Sequence, residues 1–240
     1  MFKLLNEKEL NYKEIVDISK DLIKSQYMMF LFVWLVVYVP IELITFFFGL
    51  NEKNVSAPLS ILSILFSFLS FIGVMSGSFI TEYYVTKGKD DNVWKMSLSA
   101  SLNRFLPSTW TNIVAGIVII FMTLLLVVPG IIWGVYYSFI VQVSMLRDLS
   151  GQDALKYSKK LVEGKWGKTF GRLLGSGITI AFPFIIALIV VSLIGGVIDN
   201  LLLGLISDLI SIFVAIPTTL VFLNYDYLSK KSSDSTTTNV

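Results

Sequence analysis

Neither cysteine nor histidine occurs anywhere in the 240 residues. The first absence removes disulfides, thiolate nucleophiles and cysteine metal sites. The second removes the commonest general base and metal ligand. Charge is scarce as well: Asp, Glu, Lys and Arg make up 15% of the chain, against about 25% in a typical soluble domain. No Walker-type phosphate loop, GxSxG turn or pair of aspartates at motif spacing is present. These absences predict a protein that is not an enzyme and that carries no cofactor and no metal.

What the chain has instead is apolar length. Hydrophobic residues make up 55% of it and the mean hydropathy is +0.75. One core in a soluble protein of this size cannot hide that much apolar surface. A helix needs about 20 apolar residues to cross the hydrocarbon of a bilayer. Six stretches reach or approach that length: 28–50, 58–85, 108–128, 131–147, 173–195 and 201–223. The expected fold is all-α: a polytopic membrane protein with six transmembrane helices and cytoplasmic amphipathic helices. The chain divides into an amphipathic N-terminal segment (1–27), the transmembrane domain (28–228) and a tail (229–240) whose lack of apolar residues predicts disorder.

Orientation follows from the positive residues. Eighteen of the nineteen lysines and arginines fall before the first stretch, in the second and fourth connections or in the tail; Lys53 alone falls on the other side. Cytoplasmic loops are enriched in Lys and Arg. Both termini are therefore expected in the cytoplasm of a cell whose membrane the chain crosses six times.

The connections on the opposite side are short: Asn51–Ala57, a Pro129-Gly130 turn and Gly195–Asn200. The charged side holds three amphipathic segments, at 6–27, 92–106 and 151–168. In the first, Leu10, Ile15, Ile18 and Leu22 stand near helical spacing behind an Asn6–Glu9 capping pair, which predicts a helix lying in the membrane interface. Trp94, Trp110 and Trp166 mark the headgroup boundary.

Small residues recur at steps of three and four in the second stretch (Ser56, Ser60, Ser63, Ser67, Ser70, Gly77), joined by Gly73. The fifth carries Gly171, Gly175 and Gly177; the sixth carries Gly204, Ser207, Ser211 and Ala215. Such seams let helix backbones approach closely. Ionisable residues inside a span cost energy and point to function. Glu42, two residues beyond Pro40, and Asp208 are the candidates, with Asp199 just before the last span. Glu42 and Asp208 can meet near the outer leaflet and hold a proton or cation, unless both are simply hydrated there. Arg147 and Asp148 are placed to pair with Glu82 or Lys87.

The fourth connection is basic. Lys156, Lys159, Lys160, Lys165, Lys168 and Arg172 are candidates for contact with anionic lipid headgroups, each worth about 1 kcal/mol near a charged leaflet. Nucleic acid is not an expected partner. Membrane lipids are, together with another membrane protein or a further copy of the chain.

Residues 129–171 read PGIIWGVYYSFIVQVSMLRDLSGQDALKYSKKLVEGKWGKTFG. A Pro-Gly turn, a span rich in Tyr and Phe, an acidic-Gly step, an Ala-Leu-x-x-Ser-x-x-Leu helix and a Gly-x-Trp follow in order. This resembles the membrane domain fused to bacterial glycerophosphodiester phosphodiesterases, and its stand-alone multi-pass relatives. The likeness implies that Gly151 releases the chain from the fourth span. Ala154, Leu155, Ser158 and Leu161 would then face the membrane, with Gly164 ending the helix ahead of Trp166. The phosphodiesterase domain is absent, so its activity does not carry over. The functional expectation is a non-enzymatic accessory, lipid-associated, immunity or transport-complex component. The alternative is a small transporter or channel using Glu42 and Asp208.

Overall fold

The computed structural model describes residues 2–49, 57–194 and 199–237. They form ten α-helices: α1 (Phe2–Glu7), α2 (Tyr12–Val33), α3 (Val39–Phe47), α4 (Ala57–Lys87), α5 (Val93–Leu125), α6 (Val127–Tyr136), α7 (Ile140–Leu146), α8 (Gly151–Val162), α9 (Trp166–Ile194) and α10 (Asp199–Thr237). A π-helical turn, Trp34–Tyr38, joins α2 to α3. No strand occurs among the described residues.

Six helical stretches are long and apolar enough to cross a membrane: Tyr12–Phe47, Ile61–Lys87, Val93–Leu125, Val127–Leu146, Trp166–Ile194 and Asn200–Lys231. Much of their apolar surface points away from the protein, with Leu124 and Leu193 each 80% exposed. Soluble monomers rarely show contiguous apolar patches beyond a few hundred Å².

The boundaries differ from the sequence expectation in instructive ways. Residues 6–27 do not make a separate helix under the first span. α2 begins at Tyr12 and continues through the π turn into α3. Its Ile15, Ile18 and Leu22, with Leu10 ahead of it, are buried in the main core against α9 and α10, not turned to lipid. The capping pair is Asn11 and Glu14, each side chain bonded to the other's backbone N–H. Glu9 is unavailable for a cap because Lys165, Lys168 and Arg172 hold its carboxylate. The turn between α1 and α2 is pinned by buried Asn224 of α10. Its Oδ1 accepts from the Leu10 N–H (3.0 Å), and its Nδ2 donates to the carbonyls of Leu5 (2.9 Å) and Lys8 (2.8 Å).

Residues 92–106 are likewise the first part of one 33-residue helix, α5. The α5–α6 reversal occurs at Leu126, the one extended residue between them, and Pro129-Gly130 lies within the first turns of α6. Proline is tolerated there because early helical N–H groups have no intrahelical partner. Gly130 is required by close approach: a Cβ at that position would overlap Thr123 of α5.

The fourth span is broken between Tyr136 and Ile140, and α8 repairs the break. The Ser158 hydroxyl donates to the Tyr136 carbonyl (2.7 Å) and accepts from the Phe139 N–H (3.3 Å). Ala154, Leu155, Ser158 and Leu161 are all buried against the bundle, so this face meets protein where the resemblance placed it toward membrane. Gly151 (φ 58°) and Gly164 (φ 75°) bracket α8 in the left-handed conformation that glycine adopts at least cost. The last helix runs through residues 229–237, expected to be disordered, and the Lys230–Asp226 pair at i, i+4 supports its first turn there.

Small residues pack as seams only toward one end of α4. Tyr38 lies on Gly73, and Ile212 and Ala215 lie on Gly77, whereas Ser67 is exposed. Ser56 lies outside the described residues, as does the Ser60 side chain. On α9, Gly175 receives Tyr12 and Gly177 receives Val214; around Gly171 there is open space.

Candidate functional site

At the end of the bundle where the charged connections gather, three helices meet on one guanidinium. Arg147, just past α7, donates to Glu82 of α4 through Nη1 (2.6 Å) and to Asp226 of α10 through Nε (3.0 Å). The pairing expected with Glu82 is therefore present, and Asp226 joins it. Asp148 turns away to Arg104. Asp226 is fully buried and also accepts from Lys230 (2.9 Å) and from the Tyr157 hydroxyl of α8. Burial works against the Arg147 charge, but Glu82 and Asp226 outweigh it and hold the guanidinium protonated at any accessible pH. Burial and then Asp226 raise the Tyr157 hydroxyl above its ordinary range, so it remains a donor. Arg147 also lies over the rings of Phe222 and Tyr227, 5.3 and 5.9 Å from their centroids. The ionic groups satisfy one another, which makes this cluster a tie between α4, α7, α8 and α10.

The six basic candidates of the fourth connection separate into two groups. Lys165 (3.0 Å), Lys168 (3.4 Å) and Arg172 (3.3 Å) all reach Glu9. Burial pulls the Glu9 carboxyl upward, yet Lys165, Arg172 and Lys168 together hold it below its ordinary value. Arg172 also donates to the Tyr225 hydroxyl (2.7 Å). This group braces the N-terminal turn against α9 and α10.

Lys156 and Lys159 belong elsewhere. With Gln152 and Leu155 of α8 and Trp133 and Tyr137 of the fourth span, they line an open pocket of about 260 Å³. The Lys159 ammonium sits over Trp133 (5.1 Å) and Tyr136 (5.9 Å). The Trp166 indole donates to the Ile132 carbonyl (3.1 Å) and stacks on Phe170, closing the aromatic belt along this flank. Lys160 is exposed on α8 and does not line the pocket.

Away from these charges, Glu42 of α3 and Asp208 of α10 come within hydrogen-bonding reach of each other. Gly204, one turn before Asp208, makes room for the Glu42 carboxylate; a Cβ there would overlap it. Asp199 opens α10, and its side chain lies outside the described residues. Sequence reasoning missed Tyr38, which stands one turn before Glu42 on the same helix face and is buried beside this pair. The i, i+4 spacing of Tyr38 and Glu42 around Pro40 was a usable signal. Gln142 was missed too: buried between α4 and α10, its amide nitrogen faces Ser78 (3.5 Å) and Thr219 (3.4 Å). Among the described residues no group of three or more acidic side chains is placed to hold a metal.

No protein-family model, curated protein or solved structure matches the chain. The likeness of residues 129–171 to the phosphodiesterase-linked membrane domain rests on that motif alone.

Proposed function

We propose that this is a non-enzymatic, multi-pass membrane protein that associates with anionic lipid headgroups through the α6–α8 flank and serves as an accessory component in the membrane. The observation that carries this reading is the pocket of Trp133, Tyr137, Gln152, Leu155, Lys156 and Lys159. Lys156 lines the pocket and the Lys159 ammonium sits over its aromatic floor, beside helices long enough to span a bilayer. A phosphate would sit at the lysines while acyl chains run along the exposed apolar helices, an arrangement suited to a headgroup boundary. Lys165, Lys168 and Arg172 support the reading less, because Glu9 already engages them.

Native mass spectrometry of the purified chain tests it. The protein should retain an anionic phospholipid over a zwitterionic one of equal chain length. At about 1 kcal/mol for each lysine, Lys156→Gln with Lys159→Gln should lower that preference roughly ten- to thirtyfold. Equal retention of both lipids, or an unchanged preference in the double variant, removes the proposal.

The approach of Glu42 to Asp208 favours a second reading, a small carrier of protons or cations. Flux into proteoliposomes that disappears in a Glu42→Gln, Asp208→Asn variant would support it. Flux that persists there would take both residues out of the path.

A further inference from the structure

Three elements converge on one oxygen-lined spot. The first long helix widens into a π turn at Trp34–Tyr38 immediately before Pro40. Pro40 has no N–H to give and its ring crowds the carbonyl one turn earlier, so the wide turn is how the helix passes through it. Single π turns inside α-helices occur frequently at functional sites. This one is fastened on its other side by the Trp34 indole, which donates to the Leu205 carbonyl of α10 (3.1 Å).

Tyr38, at the end of the turn, is 1% exposed, and its hydroxyl has no hydrogen-bond partner. The ring is held against Gly73 of α4, where any Cβ would overlap it. The hydroxyl lies close enough to Asp208 to feel the charge of its carboxylate. Asp208 keeps its own Oδ2 buried and unpartnered while meeting the Glu42 carboxyl. Thr45 adds a hydroxyl 3.5 Å from Glu42 Oε2. A buried, unsatisfied hydroxyl and a buried, unsatisfied carboxyl oxygen beside a second carboxyl leave donors and acceptors without an internal answer.

Two carboxyls in contact cannot both carry a bare negative charge; something positive must lie between them. Among the described residues no basic side chain stands at the pair; Lys53 lies outside them. In the sequence, α4 has no ionisable residue from Ala57 to Thr81, α9 has none after Arg172, and α10 has none between Asp208 and Tyr225. A proton or a bound ion fits that place, and an all-oxygen donor set suits hard cations.

We propose that Tyr38, Glu42 and Asp208 form a cation site in which the proton shared by the two carboxyls exchanges for one small, oxygen-preferring monovalent cation. The exchange leaves the charge of the site unchanged, because one positive charge leaves as another enters. The Tyr38 hydroxyl contributes a neutral oxygen, and Gly73 and Gly204 make room for the Tyr38 ring and the Glu42 carboxylate. The site deepens the second reading above by naming its ligand class, and it is tested by binding so that it stands apart from flux. Absent flux would end the carrier reading and leave the site; absent binding would end the site.

The full chain in lipid nanodiscs is treated with a hydrophobic carbodiimide, which attacks protonated carboxyls in apolar surroundings, and adducts are located by mass spectrometry. Modification is expected at Glu42 or Asp208. Na⁺ or Li⁺ should suppress it saturably, and choline at equal ionic strength should not. Because a cation displaces one proton, the half-protecting concentration should rise about tenfold for each pH unit lowered. Tyr38→Phe should raise it severalfold while helical content stays unchanged, and Glu42→Gln should abolish protection of Asp208. No adduct at either carboxyl, or adducts indifferent to the cation present, overturns the proposal on the wild-type chain alone, whatever the folding of the variants.

Discussion

Arg147 shows how one side chain gathers a membrane bundle. Its guanidinium is shared by Glu82 and Asp226, with Tyr157 and Lys230 completing the shell of Asp226. Breaking a buried ion pair from one side strands the remaining charge and costs about 3–5 kcal/mol. Arg147→Met should therefore lower thermal stability in detergent far more than Lys160→Met on the exposed face of α8. Equal melting temperatures for the two variants would contradict the tie. Ser158 is the neutral counterpart. Ser158→Ala leaves the Phe139 N–H and the Tyr136 carbonyl without their bridge at the break in the fourth span, a loss of about 1–3 kcal/mol. Faster hydrogen exchange confined to residues 136–140 would identify that bridge as the cause.

Glu9 makes the pH dependence explicit. Its carboxyl is held below the ordinary glutamate range of about 4.3. The unfolded chain therefore takes up a proton there before the folded one does. The tie to Lys165, Lys168 and Arg172 is complete above that range and is lost as pH falls through the depressed folded value. Amide exchange in α1 and the turn to α2 should accelerate below about pH 4, and Glu9→Gln should show the faster rate already at neutral pH. A Glu9→Gln rate equal to wild type would separate the turn from this cluster.

At the scale of elements, α8 was the most legible feature. The Ala-Leu-x-x-Ser-x-x-Leu pattern predicts one apolar face, expected to meet the membrane, and Gly151 and Gly164 predict the helix ends; the face and the ends are present, but the face is buried against protein. What covers that face was not legible, because a helix pattern reports an apolar stripe and not whether lipid or protein meets it. The same ambiguity explains α2: Ile15, Ile18 and Leu22 announce an apolar face, but only the partners reveal it to be core. A Cβ at Gly151 or Gly164 would meet nothing within 4 Å, so only the left-handed backbone opposes substitution. Gly164→Ala should cost about 1–2 kcal/mol and loosen the α8–α9 joint. A neutral effect on melting would show that the joint tolerates the strain.

For the whole molecule, the expected topology has a direct test, because the chain contains no cysteine. Lys53→Cys should react with a membrane-impermeant thiol reagent on intact cells. Lys13→Cys and Lys156→Cys should react only after permeabilisation. Labelling of Lys13→Cys in intact cells would invert the orientation drawn from the positive residues.

Composition and spacing by themselves determined that the chain is helical, that six stretches can cross a membrane, and that positive charge is partitioned eighteen to one. These properties are sums or periodicities along the chain, and hydrocarbon thickness and the positive-inside bias act on them directly. Tertiary structure decided which charges are already taken. It placed Glu9 among Lys165, Lys168 and Arg172, left Lys156 and Lys159 lining a pocket with Trp133 and Tyr137, and brought Tyr38 beside Asp208. Those outcomes depend on helix rotation and depth, set by glycine contacts at Gly73 and Gly204 and by the π turn at Pro40. Hydropathy is blind to both, because an apolar environment of lipid and one of protein read alike until the neighbouring helix is known.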